Sequence, residues 1–538
     1  MPSDCISFKE TGYFSSLICD YLDQKEKLAP FYKRFPSLDS FKDQILEKKQ
    51  SFSNTNRQVL VESLTKQYQD IAVTEPSQNN INLLLNETTF TVTTGHQLNL
   101  FTGPLYFLYK IISTINLTEQ LKETYGSYDF VPVYWMASED HDFLEINYFT
   151  LHGKKIAWNK AEGLNNANGY VGDYDTNGLK AVFEVLKNEL GGGKNAEYLK
   201  QLFEKGYLAH DNLTDATRYI VNELFGAYGL VIVDGNDTAL KSLFKPVVTQ
   251  ELEKNSAFAE VTKTTEQLKN QGYKAQVTPR EINLFYGVKG YRERIVQLEK
   301  ASFSTVDFKF TWPSLSAILQ ELETKPEHFS PNALMRPVYQ EVILPNLCYI
   351  GGGGELAYWF QLKESFKSFS VPFPIVLLRN SALLISKKQQ QKLEKLSVSP
   401  QELFMKSAEL INYKVRQVSD IPIDFSEQKK ELKVQFKGLE EIASQTDKSF
   451  LGAVKAQQVK QLKGLDVLEK RLLKAQRLKL SDHVSRLTSI HNELFPHQSL
   501  QERKSNFSEF YLAYGADLIP SLKEKLDPLG QGFSLIYL

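Results

Sequence analysis

Apolar positions along the chain follow three rhythms, and each predicts a different part of the molecule. Over residues 1–88 they recur at helical spacing, as in "GYFSSLICDYL" and "SFKDQILEKKQSF", with polar loops between. From residue 89 the rhythm shifts to short apolar runs separated by amphipathic stretches. "FTVTTG" reads as a strand, Leu105–Leu121 as a helix, and "FVPVYWMAS" as a second strand that is apolar nearly throughout. A strand without polar alternation is covered on both faces, so this spacing predicts a βαβ unit in a parallel sheet. "YGLVIVDGND", "LPNLCYIGGGGELAYWFQL" and "VPFPIVLLRNSALLI" extend the same sheet.

Two segments interrupt it. Residues 147–225 begin as alternating short strands ("NYFTLHGKKIAW"), pass through a Gly/Asn-rich stretch and become helical, as an insertion would. A second insertion, about 262–330, holds the antiparallel strands expected of "YKAQVTP", "NLFYGVKGYRERIV" and "FKFTW". The third rhythm starts near residue 386, where the chain turns helical and charged. Residues 425–446 and 448–480 should pair as an antiparallel hairpin or coiled coil. Its seam would be Leu451, Val454, Leu465, Leu468, Leu472 and Ala475, interrupted by Gln458 and Gln461. The expected organisation is α/β: a helical segment 1–88, a Rossmann-type core in 89–146 and 226–385, the insertion 147–225, a helical domain 386–495, and a returning segment 496–538.

Composition narrows the partners. Lys+Arg 63 against Asp+Glu 64 gives a net charge of −1, which argues against coating nucleic acid. No run reaches the ~20 apolar residues of a membrane span. Cys5, Cys19 and Cys348 are scattered and odd in number, so neither a disulfide framework nor a cysteine zinc site is expected. With no basic-then-apolar leader in "MPSDCISFKETG", a reducing cytoplasm is the expected location.

Candidate chemistry collects at strand ends. "TGHQLNLFTGP" brings Gly95, His96, Gln97, Thr102 and Gly103 to one elbow, where glycines let a ligand approach backbone N–H groups. Glu139, Asp140, His141 and Asp142 of "SEDHD" follow the next strand; they could bind an ammonium, hold a metal or act as general bases. Successive strand ends point into one crevice. "RPVYQE" and "GGGGELAYW" add Arg336, Gln340, Gly352, Gly353, Gly354, Glu355 and Tyr358. Glycines opening a helix can form an anion nest, with Glu355 facing an amine and Arg336 a carboxylate. Their spacing is neither the dinucleotide GxGxxG nor a P-loop. Arg379 stands at the last strand's end.

Four stretches, "TGHQLNLFTGPLYFLYK", "VPVYWMASEDHDFLEIN", "LMRPVYQEVILPNLCYIGGGGELAYW" and "LFPHQSLQERKSNF", occur in the order found in the bacillithiol biosynthesis cysteine-adding enzymes, the BshC family, which the chain resembles from about residue 90 onward. The resemblance implies a core related to class I aminoacyl-tRNA synthetases and nucleotidyltransferases, connecting-peptide insertions, and a coiled coil that forms a homodimer. It implies a ligase that joins cysteine to the glucosamine amine of glucosaminyl-malate through an amide bond. "TGHQ" and "FTGP" occupy the place of a nucleotide-binding HIGH-like turn, where relatives commonly carry Gln at the position of His96. Asp140, His141, Asp142 and His96 are the catalytic candidates; the other residues named would bind substrate or nucleotide. ATP with Mg²⁺ is an activator the resemblance admits without requiring, since no KMSKS-type lysine loop follows and "ISKK" is its nearest echo. No zinc and no other protein-held metal is expected. The rival reading is a non-catalytic nucleotide-binding scaffold that recruits pathway enzymes through its coiled coil.

Overall fold

The computed structural model describes residues 4–159, 169–299 and 302–538, so part of the Gly/Asn-rich stretch lies outside the described residues. The chain divides into two compact units, one of residues 1–383 with 501–536, the other of 384–500 with 537–538.

A five-stranded parallel sheet organises the first unit. Its strands are β1 (Thr89–His96), β2 (Asp129–Met136), β3 (Val231–Asp234), β4 (Asn346–Gly351) and β5 (Ile375–Leu378). They lie side by side in the order β5-β4-β1-β2-β3, the Rossmann arrangement. Every residue of β1, β4 and β5 is buried, as expected for strands covered on both faces. The order reverses between β1 and β4. There the two chains leave the sheet in opposite directions and open a crevice beyond their carboxyl ends.

The seam between β1 and β4 is unusually polar. Thr91 and Thr93 donate to the Asn346 side-chain oxygen at 3.2 and 2.8 Å, and Thr94 donates to the Ile350 carbonyl at 2.8 Å. Asn346 donates in turn to Glu341 at 2.6 Å. Glu341 lies on helix α2 (Arg336–Ile343) and pairs with Lys48 at 2.8 Å, both side chains being almost wholly buried. Lys48 belongs to the helix Leu38–Ser51, whose Phe41 and Ile45 pack into the same core as Phe90, Val92, Leu347 and Ile350. The N-terminal helices are therefore part of the core.

Helix α1 (Tyr106–Thr124) follows β1 and is buried along most of its length. The first insertion contains the hairpin Tyr148–Leu151/Lys154–Ala157 and the helices Leu179–Leu190, Lys194–Phe203 and Leu213–Phe225. The second builds an antiparallel sheet from Leu284–Val288, Tyr291–Gln297, Phe303–Thr305, Thr311–Trp312 and Phe329–Pro331. "YKAQVTP" is not one of its strands. That stretch is loop, tied down where the Gln361 side-chain oxygen accepts from the Gln276 and Val277 amides.

The second unit is helical. Its long helices α4 (Ser426–Ala443) and α5 (Lys448–Lys479) are joined by a short turn and pack antiparallel, with Asp447 capping α5. The inner seam of α5 differs in part from the expected one: Leu451, Val454, Leu465 and Leu472 are half-buried, as are Leu462 and Glu469, whereas Leu468 and Ala475 are exposed. Glu469 is tolerated there because Lys429 and Arg416 meet it at 2.8 and 3.1 Å.

Substituting Lys48→Met strands the Glu341 carboxylate in the core, and breaking a buried pair this way costs about 3–5 kcal/mol. Urea denaturation should show that loss, and Lys48→Met combined with Glu341→Gln should recover a large part of it.

Candidate active site

A crevice of about 410 Å³ opens at the reversal point, lined by the ends of β1, β2 and β4, the start of α1, and the second insertion. Gly95 is required by close approach: a Cβ there would lie 3.1 Å from the Tyr349 hydroxyl. Next to it, His96 is buried between Tyr106 and Phe107, and its Nε2 has no hydrogen-bond partner among the described residues. Burial, reinforced by the nearby Lys110 charge, pulls its pKa down from 6.5 to about 3, so the ring is neutral.

The turn beyond β1 is strained. Phe101, Thr102 and Gly103 have consecutive positive φ angles of 48°, 67° and 66°, which a β-branched residue such as Thr102 adopts at a cost. Asn506 holds it by donating to the Phe101 and Gly103 carbonyls at 2.8 and 2.6 Å, while the Phe101 amide donates to the Tyr207 hydroxyl at 2.7 Å. Thr102 and Gly103 thus shape the turn without lining the crevice.

The four glycines act differently from a nest. None is left-handed. The amide that opens helix α3 (Gly353–Trp359) is already taken, since Gly352 donates to the Glu355 carboxylate at 2.8 Å. Glu355 also accepts from Tyr349 at 2.6 Å and pairs with the buried Lys110 at 2.5 Å; Lys110 donates to the Gly95 carbonyl at 2.6 Å. Burial pushes the Glu355 carboxyl up, but the Lys110 charge and these hydrogen bonds outweigh it and hold it below its ordinary value. Gly353 and Gly354 do not line the crevice.

Arg336 and Gln340 form a unit. Gln340 is fully buried behind the crevice wall, accepts from Arg336 at 3.0 Å and donates to Glu341 at 3.1 Å. The Arg336 guanidinium faces Trp135 and Tyr349 and approaches the Tyr358 hydroxyl, with no carboxylate partner among the described residues. Arg379 is engaged elsewhere: it pairs with buried Glu502 at 2.8 Å and lies over the Tyr106 ring.

The "SEDHD" residues separate. Glu139 lines the crevice and pairs with buried Lys241 at 2.6 Å. Asp140 lines it too, accepting from Gln97 at 2.7 Å and from the His141 amide at 2.7 Å, with no Lys or Arg in ion-pair range among the described residues. His141 stands at the rim, where Arg292 donates to its Nδ1 at 2.9 Å. An arginine has no acceptor, so that nitrogen carries the lone pair and Nε2 the proton. Asp142 is exposed and caps the short helix Phe143–Ile146 through the Leu144 and Glu145 amides, outside the crevice.

Lys110 and Arg292 line the crevice and are residues that motif reading missed. A single lysine inside the apolar run "LYFLYKIISTINL" was the available cue for one, and two arginines spaced i, i+2 on a strand, "YRERIV", for the other. Among the described residues, no group of three or more His, Cys, Asp or Glu is arranged to hold a metal, and no helix is long and apolar enough to cross a membrane.

Two family profiles account for the chain. One, described as bacillithiol biosynthesis BshC, N-terminal Rossmann-like domain, matches residues 1–380; the other, its C-terminal coiled-coil domain, matches 382–538. The chain belongs to the BshC family. Proteins named "Putative cysteine ligase BshC" from Christiangramia forsetii and Flavobacterium johnsoniae are 56% and 55% identical over 100% of this chain and 99% and 100% of their own. One of the same name from Cytophaga hutchinsonii is 38% identical over 97% of this chain and 96% of its own. A solved structure titled as an arginyl-tRNA synthetase of Campylobacter jejuni overlaps 82% of this chain and 93% of its own, at 9% identity and a TM-score of 0.21. That score is too low to support kinship, and the BshC core rests on its own strand order.

The neutral His96 makes a pH test. Its folded pKa is depressed, so the unfolded chain takes up the proton first; the associated stability is complete above about 6.5 and is lost as pH falls toward 3. Between pH 7.5 and 5 the natural protein should lose about 2 kcal/mol more than His96→Gln, measured by urea denaturation.

Proposed function

We propose that this BshC protein is a cysteine ligase that joins the carboxyl of cysteine to the glucosamine amine of glucosaminyl-malate, forming an amide. The observation that carries the reading is the division of charge in the crevice. Glu139 and Glu355 are neutralised by Lys241 and Lys110, which leaves Asp140 as the lining carboxylate without a Lys or Arg partner among the described residues. Arg336 is a lining cation in the same position. A free carboxylate and a free guanidinium across one cleft suit a carboxylate substrate and an ammonium substrate brought face to face.

In this reading Arg336, oriented by Gln340, takes the cysteine carboxylate. His96 and Tyr106, beside Gly95 at the end of β1, would hold an activating nucleotide, because the buried His96 Nε2 lacks a partner among the described residues. ATP, when bound, supplies the leaving group that makes the cysteine carbonyl electrophilic. The amine attacks that carbonyl, the C–N bond forms as the activating group leaves, and Asp140 accepts the proton that the nitrogen sheds. His141 serves by holding Arg292, since its lone pair is already engaged.

The decisive assay is mass spectrometry of the product from purified protein, cysteine, glucosaminyl-malate and nucleotide, each omitted in turn. Asp140→Asn should reduce amide formation by 100-fold or more with little change in melting temperature, whereas Asp142→Ala should keep activity within a few-fold and lose a helix cap worth about 1 kcal/mol. A binding scaffold would be indifferent to Asp140→Asn.

The proposed assembly is a homodimer through the helical unit. Val434, Ile442, Val459, Val467 and Leu468 of α4 and α5 are each at least half exposed, a density of apolar surface that a second copy would cover. Sedimentation velocity should show a dimer for the natural protein and a folded monomer for Val467→Glu with Leu468→Glu.

A further inference from the structure

The crevice has a second lobe. A cavity of about 550 Å³ continues outward past Arg292 and shares Asp140, Arg292, Asn332 and Ala333 with the inner one. Most of its wall comes from the second insertion, the rest from Asp140, His141 and the loop Asn332–Leu334. Arg292 and Arg294 are two apart on one strand and so share a face, and Arg280 joins them from the preceding loop. None of the three guanidiniums has a carboxylate in ion-pair range among the described residues. Arg292 is instead fixed by stacking 3.8 Å over Phe285 and by bonds to His141, Ser330 and the Pro331 carbonyl. Glu293 also lines the lobe, but its carboxylate accepts from the Arg294 amide at 2.8 Å. Burial of Arg292 draws its pKa down, and the nearby Glu139, Asp140 and Glu293 carboxylates, outside ion-pair range, only partly oppose it.

We propose that this outer lobe is the subsite for the paired carboxylates of the amine substrate. The inference rests on the reading of Asp140 as proton acceptor. Asp140 borders both lobes, so the reacting amine sits at their junction. The inner lobe is committed to cysteine and its activator, and the rest of the amine substrate must extend outward. What it meets there is a cluster of three arginines, suited to two neighbouring carboxylates, which guanidinium groups grip through paired hydrogen bonds. Arg292 faces both lobes and marks their junction. The second insertion thus determines which amine is accepted.

The test is calorimetric titration of the full-length protein, with Arg280→Gln combined with Arg294→Gln as the variant, both side chains being accessible enough to replace without opening the core. Three probes are used: glucosaminyl-malate, methyl glucosaminide lacking the malate, and malate alone. The variant should bind glucosaminyl-malate at least tenfold more weakly, bind malate more weakly, and bind methyl glucosaminide as the natural protein does. Equal affinity of both proteins for glucosaminyl-malate would overturn the subsite while leaving the ligase reading in place. Binding of malate that depends on Arg280 and Arg294, with no amide product from the natural protein, would support the subsite and remove the ligase reading.

Discussion

The Glu341 carboxylate is the constraint around which the first unit is arranged. A charge removed from water must be fully satisfied, and Glu341 takes its partners from three directions. Lys48 comes from the N-terminal helices, Asn346 from the first residue of β4, and Gln340 from its own helix. Each partner does a second task. Asn346 accepts from two threonines of β1, and so sets the register between the strands whose divergence opens the crevice. Gln340 passes the constraint on to Arg336. Folding and the position of a crevice-facing guanidinium are therefore linked by one chain of hydrogen bonds, and neither can be displaced without disturbing the other.

Within the crevice, charge is sorted by partner. Lysines pair with Glu355 and Glu139, while the arginines are held by neutral groups, aromatic faces, amides and a histidine. A guanidinium is well suited to such surroundings because its plane stacks and its charge persists when buried. The parallel core provides most of the paired groups, and an inserted antiparallel sheet provides Arg292 and Arg294. The scaffold and the element that lines the outer lobe are thus separable in the sequence.

The parallel sheet was legible because fully covered strands leave uninterrupted apolar runs, and all five were found at the expected places. The gathering of "TGHQ" and "SEDHD" at one sheet edge was legible for the same reason, since strand ends fix where the next residues go; "RPVYQE" lies instead on the helix that precedes β4. What each side chain does there was less so. Asp142 reads like Asp140 in sequence but faces solvent as a cap, and Arg379 reads like Arg336 but is consumed by Glu502, which lies 123 residues later. Gly351–Gly354 suggested an anion nest; the ligand of that helix end is the protein's own Glu355. Pairings of this kind are long-range, and local spacing carries no trace of them. In the helical unit a heptad-like count placed Leu468 inward, whereas the neutralised Glu469 occupies that face.

The strained turn at Phe101–Gly103 has a consequence for how the molecule comes into being. Its conformation depends on Asn506, which the ribosome makes some four hundred residues after the turn itself. Synthesis runs from the N-terminus, and domains generally fold as units as they emerge. The sheet strands all precede Asn506, but the turn adjoining His96 has no clamp until Asn506 has been made. A chain ended before that residue would thus possess the sheet and lack the finished elbow, which ties the shape of the crevice to a side chain far downstream.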